Sequence, residues 1–128
     1  MRLLVDTHTV FWAVDEPARL GKQAALELRD LSNEILVSAA TIWEIAIKFG
    51  LGKLSLSKAY REWMIEAMYR LDAHLLPVTI DSADVQSSLP HHHRDPFDRM
   101  LVAQALVENV PIASGDAAFD AYGIQRIW

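Results

Sequence analysis

The stretch Arg2-Leu3-Leu4-Val5-Asp6-Thr7-His8-Thr9-Val10 decides the fold of this 128-residue chain. Leu3-Leu4-Val5 is a continuous apolar run without alternation, the mark of a strand buried on both faces. Asp6-Thr7-His8-Thr9 is rich in helix-capping residues, and residues 10–14 read as a short helix that Asp15-Glu16-Pro17 ends. The same alternation recurs downstream. Residues 21–31 read as a helix with Ala24, Ala25, Leu28 and Leu31 on one side, and Ile35-Leu36-Val37-Ser38 as a second strand. Residues 39–49 form a helix in which Ile42, Ile45, Ala46 and Phe49 take the amphipathic spacing. Gly50 and Gly52 end it. Ser57 reads as the cap of a further helix with the stripe Tyr60, Trp63, Met64, Ala67, Met68 and Leu71. Residues 75–78 are a strand weakened by Pro77, 81–89 a short helix, and 95–109 a strong helix. Residues 111–114 and 124–128 are strands separated by a turn or short helix at 117–122. The expectation is an α/β fold: one domain over residues 1–128, a parallel sheet with helices on both faces.

Composition narrows the function classes. The chain has no cysteine, which excludes a disulfide framework, a thiolate zinc site and a cysteine nucleophile. Hydrophobic residues make up 52% and charged ones 23%, which excludes a disordered chain. Twelve Lys+Arg against 17 Asp+Glu give a net charge of −5. A protein holding nucleic acid by charge alone would be basic, so any such contact must offset the chain's own carboxylates. No apolar run is long enough to span a membrane, and the run at 3–5 is too short for a signal peptide. A soluble cytoplasmic protein without a membrane partner is the expectation.

In an open parallel sheet, ligands gather at the carboxyl ends of the strands. Asp6 follows the first strand, and Asp116 follows the strand ending at Ser114. Asp98 lies in the first turn of the helix starting near Asp95, and Glu44 sits one turn into the helix leaving the second strand. Each has a plainer reading. Asp6 and Asp116 would serve as N-caps. Glu44 would form a solvated i, i+4 pair with Lys48. Asp95-Pro96-Phe97-Asp98 is a near-ideal helix start with Asp95 as the cap, which gives Asp95 a structural role. Asp98 is different: Leu101, Val102 and Ala105 share its face, so its carboxylate needs a partner. Four converging carboxylates would raise one another's pKa values. A hard cation with oxygen ligands, Mg²⁺ or Mn²⁺, removes that conflict and brings positive charge to a phosphodiester. Thr7 and Ser114 flank two of the acids, as orienting hydroxyls or as local caps.

These residues carry a family resemblance. Leu4-Val5-Asp6-Thr7-His8, SAATIWEIAIK (38–48), LPHHHRDPFDRMLVAQA (89–105) and Ser114-Gly115-Asp116 through Phe119 resemble PIN-domain ribonucleases, and among them the VapC-like toxins of bacterial toxin–antitoxin pairs. The third stretch is the most specific. The resemblance covers the whole chain and implies an acidic quartet at Asp6, Glu44, Asp98 and Asp116, with Asp6 and Asp98 as direct metal ligands, Glu44 and Asp116 binding directly or through water, and Ser114 supporting. It implies an endoribonuclease hydrolysing RNA phosphodiester bonds by metal-activated water, using Mg²⁺ or Mn²⁺ and acting on single-stranded parts of RNA, often transfer or ribosomal RNA. The chain departs from many relatives in having Gly115, not a basic residue, before the fourth acid.

The resemblance also implies partners. A cognate antitoxin would offer an Arg or Lys to an acidic pocket, and a homodimer is expected. The stripe from Tyr60 to Leu71 reads first as core and second as a groove for an antitoxin helix. Arg94, Arg99, His92 and His93 are candidates for RNA contact. The run His91-His92-His93 reads as a loop beside the cleft, with His92 or His93 bonded to RNA or Asp95, because neighbouring residues diverge and suit a zinc site poorly. Two other classes remain open. One is a metal-dependent phosphatase with Asp6 as nucleophile, although such enzymes place a second Asp where His8 stands. The other is a non-catalytic interaction module whose acids are caps and surface charge.

Overall fold

β1 (Arg2–Val5) runs through the centre of a five-stranded sheet of order β3-β2-β1-β4-β5, and all pairings are parallel. The structure is a computed structural model describing residues 1–128. β2 (Glu34–Ser38) pairs with β1 through Leu3 opposite Ile35 and Val5 opposite Val37. β4 (Ile112–Ala113) lies on the other side of β1, and β3 (Ala73–Leu76) and β5 (Arg126–Ile127) form the edges.

Both sheet faces are covered, which is why β1 reads as an unbroken apolar run. Leu3 and Val5 join Ile35 and Val37 under α1 (Thr7–Asp15), α3 (Ala39–Gly50) and α4 (Tyr60–Arg70), against Val10, Ile45 and Trp63. Leu4, Leu36 and Ile112 face the opposite way, against Leu101, Val102 and Ala105 of α6 (Pro96–Glu108) and Phe119. Leu3, Leu4 and Val5 are 0% exposed, and each such burial stabilises by about 1.5–3 kcal/mol. α2 (Lys22–Arg29) and α5 (Ile80–Ser87) lie at the periphery, with Ala24 and Ser82 as their buried residues. A 3₁₀ turn over Ala117–Tyr122 links β4 to β5.

Several local expectations shift. α1 starts at Thr7, because the Asp6 side chain accepts from Thr9 N and caps it there. Ser57 caps nothing. Its N–H and hydroxyl donate to Asp15, at 3.0 and 2.7 Å, and α4 begins after Ala59. Trp63, Met64, Ala67 and Leu71 are buried in the core, and Tyr60 and Met68 pack against it, so this stripe offers no groove to an antitoxin helix. The third strand lies two residues earlier than expected, and Pro77 follows it.

Trp128 closes the structure against two glycines. A Cβ on Gly21 would lie 2.5 Å from the Trp128 carbonyl carbon and 2.6 Å from its Cγ. Gly21 has an ordinary φ of −61°, so space alone demands glycine. Gly21→Ala is therefore expected to destabilise by about 1–3 kcal/mol through overpacking, read from urea unfolding. Unchanged stability would show that Trp128 is not docked there.

Candidate active site

The chain places β1, β2 and β3 on one side and then returns to place β4 and β5 on the other. The carboxyl ends of β1 and β4 thus meet at the switch point, where such sheets open a crevice. Asp6 N–H donates to Ala113 O at 3.1 Å and fixes the two ends together.

Asp6 is 5% exposed. Its Oδ1 accepts from Thr9 N at 2.8 Å and its Oδ2 from Ser114 Oγ at 2.5 Å. Burial pushes its carboxyl above the ordinary value, and the Ser114 and Thr9 hydrogen bonds offset only part of that. Ser114 also accepts from Asp116 N at 3.0 Å, so one buried hydroxyl couples the first and fourth acids. Asp116 caps the following 3₁₀ turn by accepting from Ala118 N. The cap and site readings of Asp6 and Asp116 are therefore compatible.

Glu44 is not a solvated residue. It is 2% exposed, with Oε1 accepting from Thr7 Oγ1 at 2.6 Å and Oε2 paired with Lys48 Nζ at 2.7 Å. Burial opposes the Lys48 ammonium, but Glu44, Asp95 and Asp98 hold its pKa above the ordinary lysine value. Lys48 is thus a cation inside the acidic cluster. The Glu44–Lys48 spacing signals the pair, but only tertiary packing shows that it is buried.

Asp95 caps α6 as expected, accepting from Phe97 N at 2.7 Å and Asp98 N at 3.4 Å. Asp98 projects half-buried from the first turn. Its carboxyl is pushed up to about 7, first by burial and then by the charges of Asp95 and Glu44, with Asp6 adding to them and only His93 opposing. No hydrogen bond contributes to holding its charge.

His93 is a residue whose place the sequence did not reveal. Its acidic partner is Asp116 and not Asp95: the ring is buried, and Nε2 lies 2.9 Å from Asp116 Oδ2. Stacking on Tyr122, with ring planes 12° apart, and a hydrogen bond from its backbone N–H to the Tyr122 hydroxyl fix its position. Burial works against the Asp116 charge, but the His93 and Ala118 hydrogen bonds outweigh it and hold that carboxyl below its usual value. Donor atoms of His93, Asp98 and Asp116 lie within 4.8 Å of one another. His92 is exposed and meets Tyr122 edge-on, and Arg94 is exposed. Arg99 is a correction. It is buried and donates to the carbonyls of Pro90, Gln86 and Leu89, so it anchors the loop before α6 and its guanidinium is not exposed for a phosphate contact.

This donor set fits a hard divalent cation. It is rich in carboxylate oxygen, it crowds negative charge around the half-buried Asp98, and Asp98 lacks a partner within the chain. Asp98, Asp116 and His93 are the residues whose donor atoms lie close enough to hold one ion. Asp6 and Glu44 lie outside that group, and Asp6 is tied to Asp116 through the Ser114 hydroxyl.

Fold and site together define an α/β domain with an acidic crevice at its switch point. The chain belongs to the PIN domain family, whose model matches residues 3–125. No curated protein matches it. Among solved structures, it is similar to VapBC2 from Rickettsia felis bound to a DNA fragment from their promoter. There the TM-score is 0.72 and the identity 12%, over 98% of this chain and 97% of that one. It is also similar to VapBC-1 from nontypeable Haemophilus influenzae, with TM-score 0.64 and 14% identity over 98% and 96% of the two chains. FitAcB from Neisseria gonorrhoeae gives TM-score 0.61 and 19% identity over 97% and 95%. At these identities the likeness shows a shared fold. No helix is long and apolar enough to cross a membrane.

Proposed function

We propose that this chain is an endoribonuclease that uses Mg²⁺ or Mn²⁺ and serves as the cytoplasmic toxin of a toxin–antitoxin pair. One observation carries the proposal: donor atoms of Asp98, Asp116 and His93 lie within 4.8 Å of one another at the carboxyl end of the sheet, and the half-buried Asp98 carboxylate has no partner in the chain. A module whose acids were only caps and surface charge would not assemble that crowding. Nor does the segment after Asp6 suit a covalent phosphatase, since His8 stands where such an enzyme needs a second aspartate.

When bound, a divalent ion lowers the pKa of water and stabilises charge on phosphoryl oxygens. The residues divide the remaining work. Asp6 and Asp98 would bind the ion directly, and Asp116 and Glu44 would bind it directly or through water. Ser114 holds Asp6 and Asp116 in register. His93 orients Asp116, and Thr7 with Lys48 fixes Glu44. The RNA products are a 5′ phosphate and a 3′ hydroxyl.

The likeness to VapBC2 and VapBC-1 supports pairing with an antitoxin. The acidic crevice suits an arginine or lysine from that partner. An apolar groove of about 630 Å³ between α3 and α6, with Trp43 64% exposed beside Phe97 and Met100, supports the homodimer.

Purified protein is expected to cut single-stranded RNA with Mg²⁺ or Mn²⁺, to stop in excess chelator, and to resume when Mn²⁺ is restored. Sequencing the new ends reads both the position and the terminal groups. Equal cleavage in chelator would refute the metal role, and no cleavage of any cellular RNA would refute the nuclease reading.

A further inference from the structure

A cavity of about 520 Å³ adjoins the acidic crevice and shares Asp6 and Asp116 with it. Its other walls are aromatic. The Trp12 indole meets the Trp128 indole at a centroid separation of 5.8 Å and the His8 imidazole at 5.7 Å, with planes tilted by 55° and 43°. Arg19 stands at the rim, its guanidinium carbon 4.9 Å from the Trp12 ring centroid. Glu16 pairs with Arg19 at 2.9 Å, so its charge is partly spent.

The placement of Trp128 is built into the backbone. A Cβ on Gly115 would lie 3.0 Å from Trp128 Cε2, as one on Gly21 would collide with Cγ. Glycine at both positions lets the indole lie along the cavity, and Gly115 sits beside Asp116. Trp12 is held on α1, whose cap is Asp6. The aromatic wall is therefore tied to the acidic one at two places, Trp12 through the helix that Asp6 caps and Trp128 through its packing on Gly115 beside Asp116.

Charge explains what this wall is for. The chain carries a net charge of −5, and the cavity holds one permanent cation, already paired with Glu16. Electrostatic attraction, the usual source of nucleic-acid affinity, is weak here. Stacking on aromatic side chains is the charge-independent source, and it requires unpaired bases. We propose that the His8–Trp12–Trp128 cavity is a nucleobase subsite that stacks an unpaired base of the RNA next to the scissile phosphate. The proposal rests on the nuclease reading above and adds the residues that would hold an unpaired base beside the site.

The test is binding, so that it does not depend on cleavage. Affinity is measured by fluorescence anisotropy, with Ca²⁺ in place of Mn²⁺, for a short mixed-sequence single-stranded RNA pool and for an abasic ribose-phosphate chain of equal length. Wild type is expected to prefer the RNA by about tenfold or more. Trp12→Leu and Trp128→Leu are expected to lose that preference while binding the abasic chain as wild type does. Retained stabilisation by Mn²⁺ shows that each variant has folded with its metal site intact. Arg19→Gln, at an exposed position, provides a second variant and is expected to weaken both probes alike. Equal binding of the two probes by wild type overturns the subsite, as does a preference that survives loss of either indole. Indole-dependent binding of an arginine-bearing peptide, with RNA affinity indifferent to both indoles, also overturns it and makes the cavity a protein contact. A parallel cleavage assay with Mn²⁺ separates the two readings: cleavage without base preference removes the subsite alone, and base preference without cleavage removes the nuclease.

Discussion

Asp98→Asn is expected to lower RNA cleavage by about 10²–10³-fold or more while leaving the fold intact. The side chain keeps its size, and α6 keeps its cap, because Asp95 and not Asp98 receives the Phe97 and Asp98 N–H groups. What disappears is the one carboxylate of the cluster without a partner in the chain. Asp6→Asn should be comparably damaging, since it removes charge beneath Ser114 while the Thr9 cap is retained by the remaining oxygen. Asp95→Asn is the contrasting control. Asparagine caps a helix about as well as aspartate, and cleavage should stay within about tenfold of the parent, a factor worth about 1.4 kcal/mol. If Asp98→Asn cut RNA at the parent's rate, the ligand assignment would be wrong. Loss in Asp95→Asn with activity in Asp98→Asn would exchange their roles.

The second large effect is on stability, and its sign depends on metal. In the metal-free protein the Asp98 carboxyl is raised from an ordinary 3.8 to about 7. The folded state thus holds a proton more tightly than the unfolded chain does, so the favourable contribution is complete below pH 4 and is lost as pH rises to about 7. The full shift would correspond to about 4 kcal/mol, and partial solvent exposure reduces this to about 1–2 kcal/mol. Without metal at pH 8, Asp98→Asn should be the more stable protein by that amount, and the difference should vanish near pH 4. Adding Mn²⁺ at pH 8 should reverse the order, because the parent gains about 2.7 kcal/mol at a hundredfold excess over Kd. Denaturant unfolding of both proteins, with and without Mn²⁺, measures all of these. An Asp98→Asn protein that is less stable without metal at pH 8 would mean that the carboxylate is not crowded.

The parts of the structure legible in the sequence are those set by short-range chemistry. Leu3-Leu4-Val5 and Ile35-Leu36-Val37 announce doubly buried strands, and Asp95-Pro96 announces the start of α6. The placement of Asp6 and Asp116 at strand ends follows from the same reading. What the residues could not announce depends on long-range partners. Ser57 looks like a cap, yet Asp15 at the end of α1 takes both its donors. Glu44 and Lys48 have the spacing of a surface pair, but packing against Thr7 buries the acid. Arg99 reads as a free cation until the carbonyls of the preceding loop surround it. His93 stands in a run of three histidines with nothing local to distinguish it. Tyr122, distant in sequence, selects it by stacking and turns it toward Asp116. β3 was displaced because an edge strand, with His74 and Leu75 exposed, is defined by its backbone pairing to β2 more than by side-chain pattern.

Anomalous diffraction at the manganese edge, from crystals of the unmodified protein soaked in Mn²⁺, locates the cation without any assay of activity. A peak within bonding distance of Asp98 and Asp6, bordered by Asp116 and His93 and absent from Asp98→Asn crystals, is the expected result. A crevice that stays empty at saturating Mn²⁺, or a peak bound only to carboxylates outside it, would contradict a cation held by these acids.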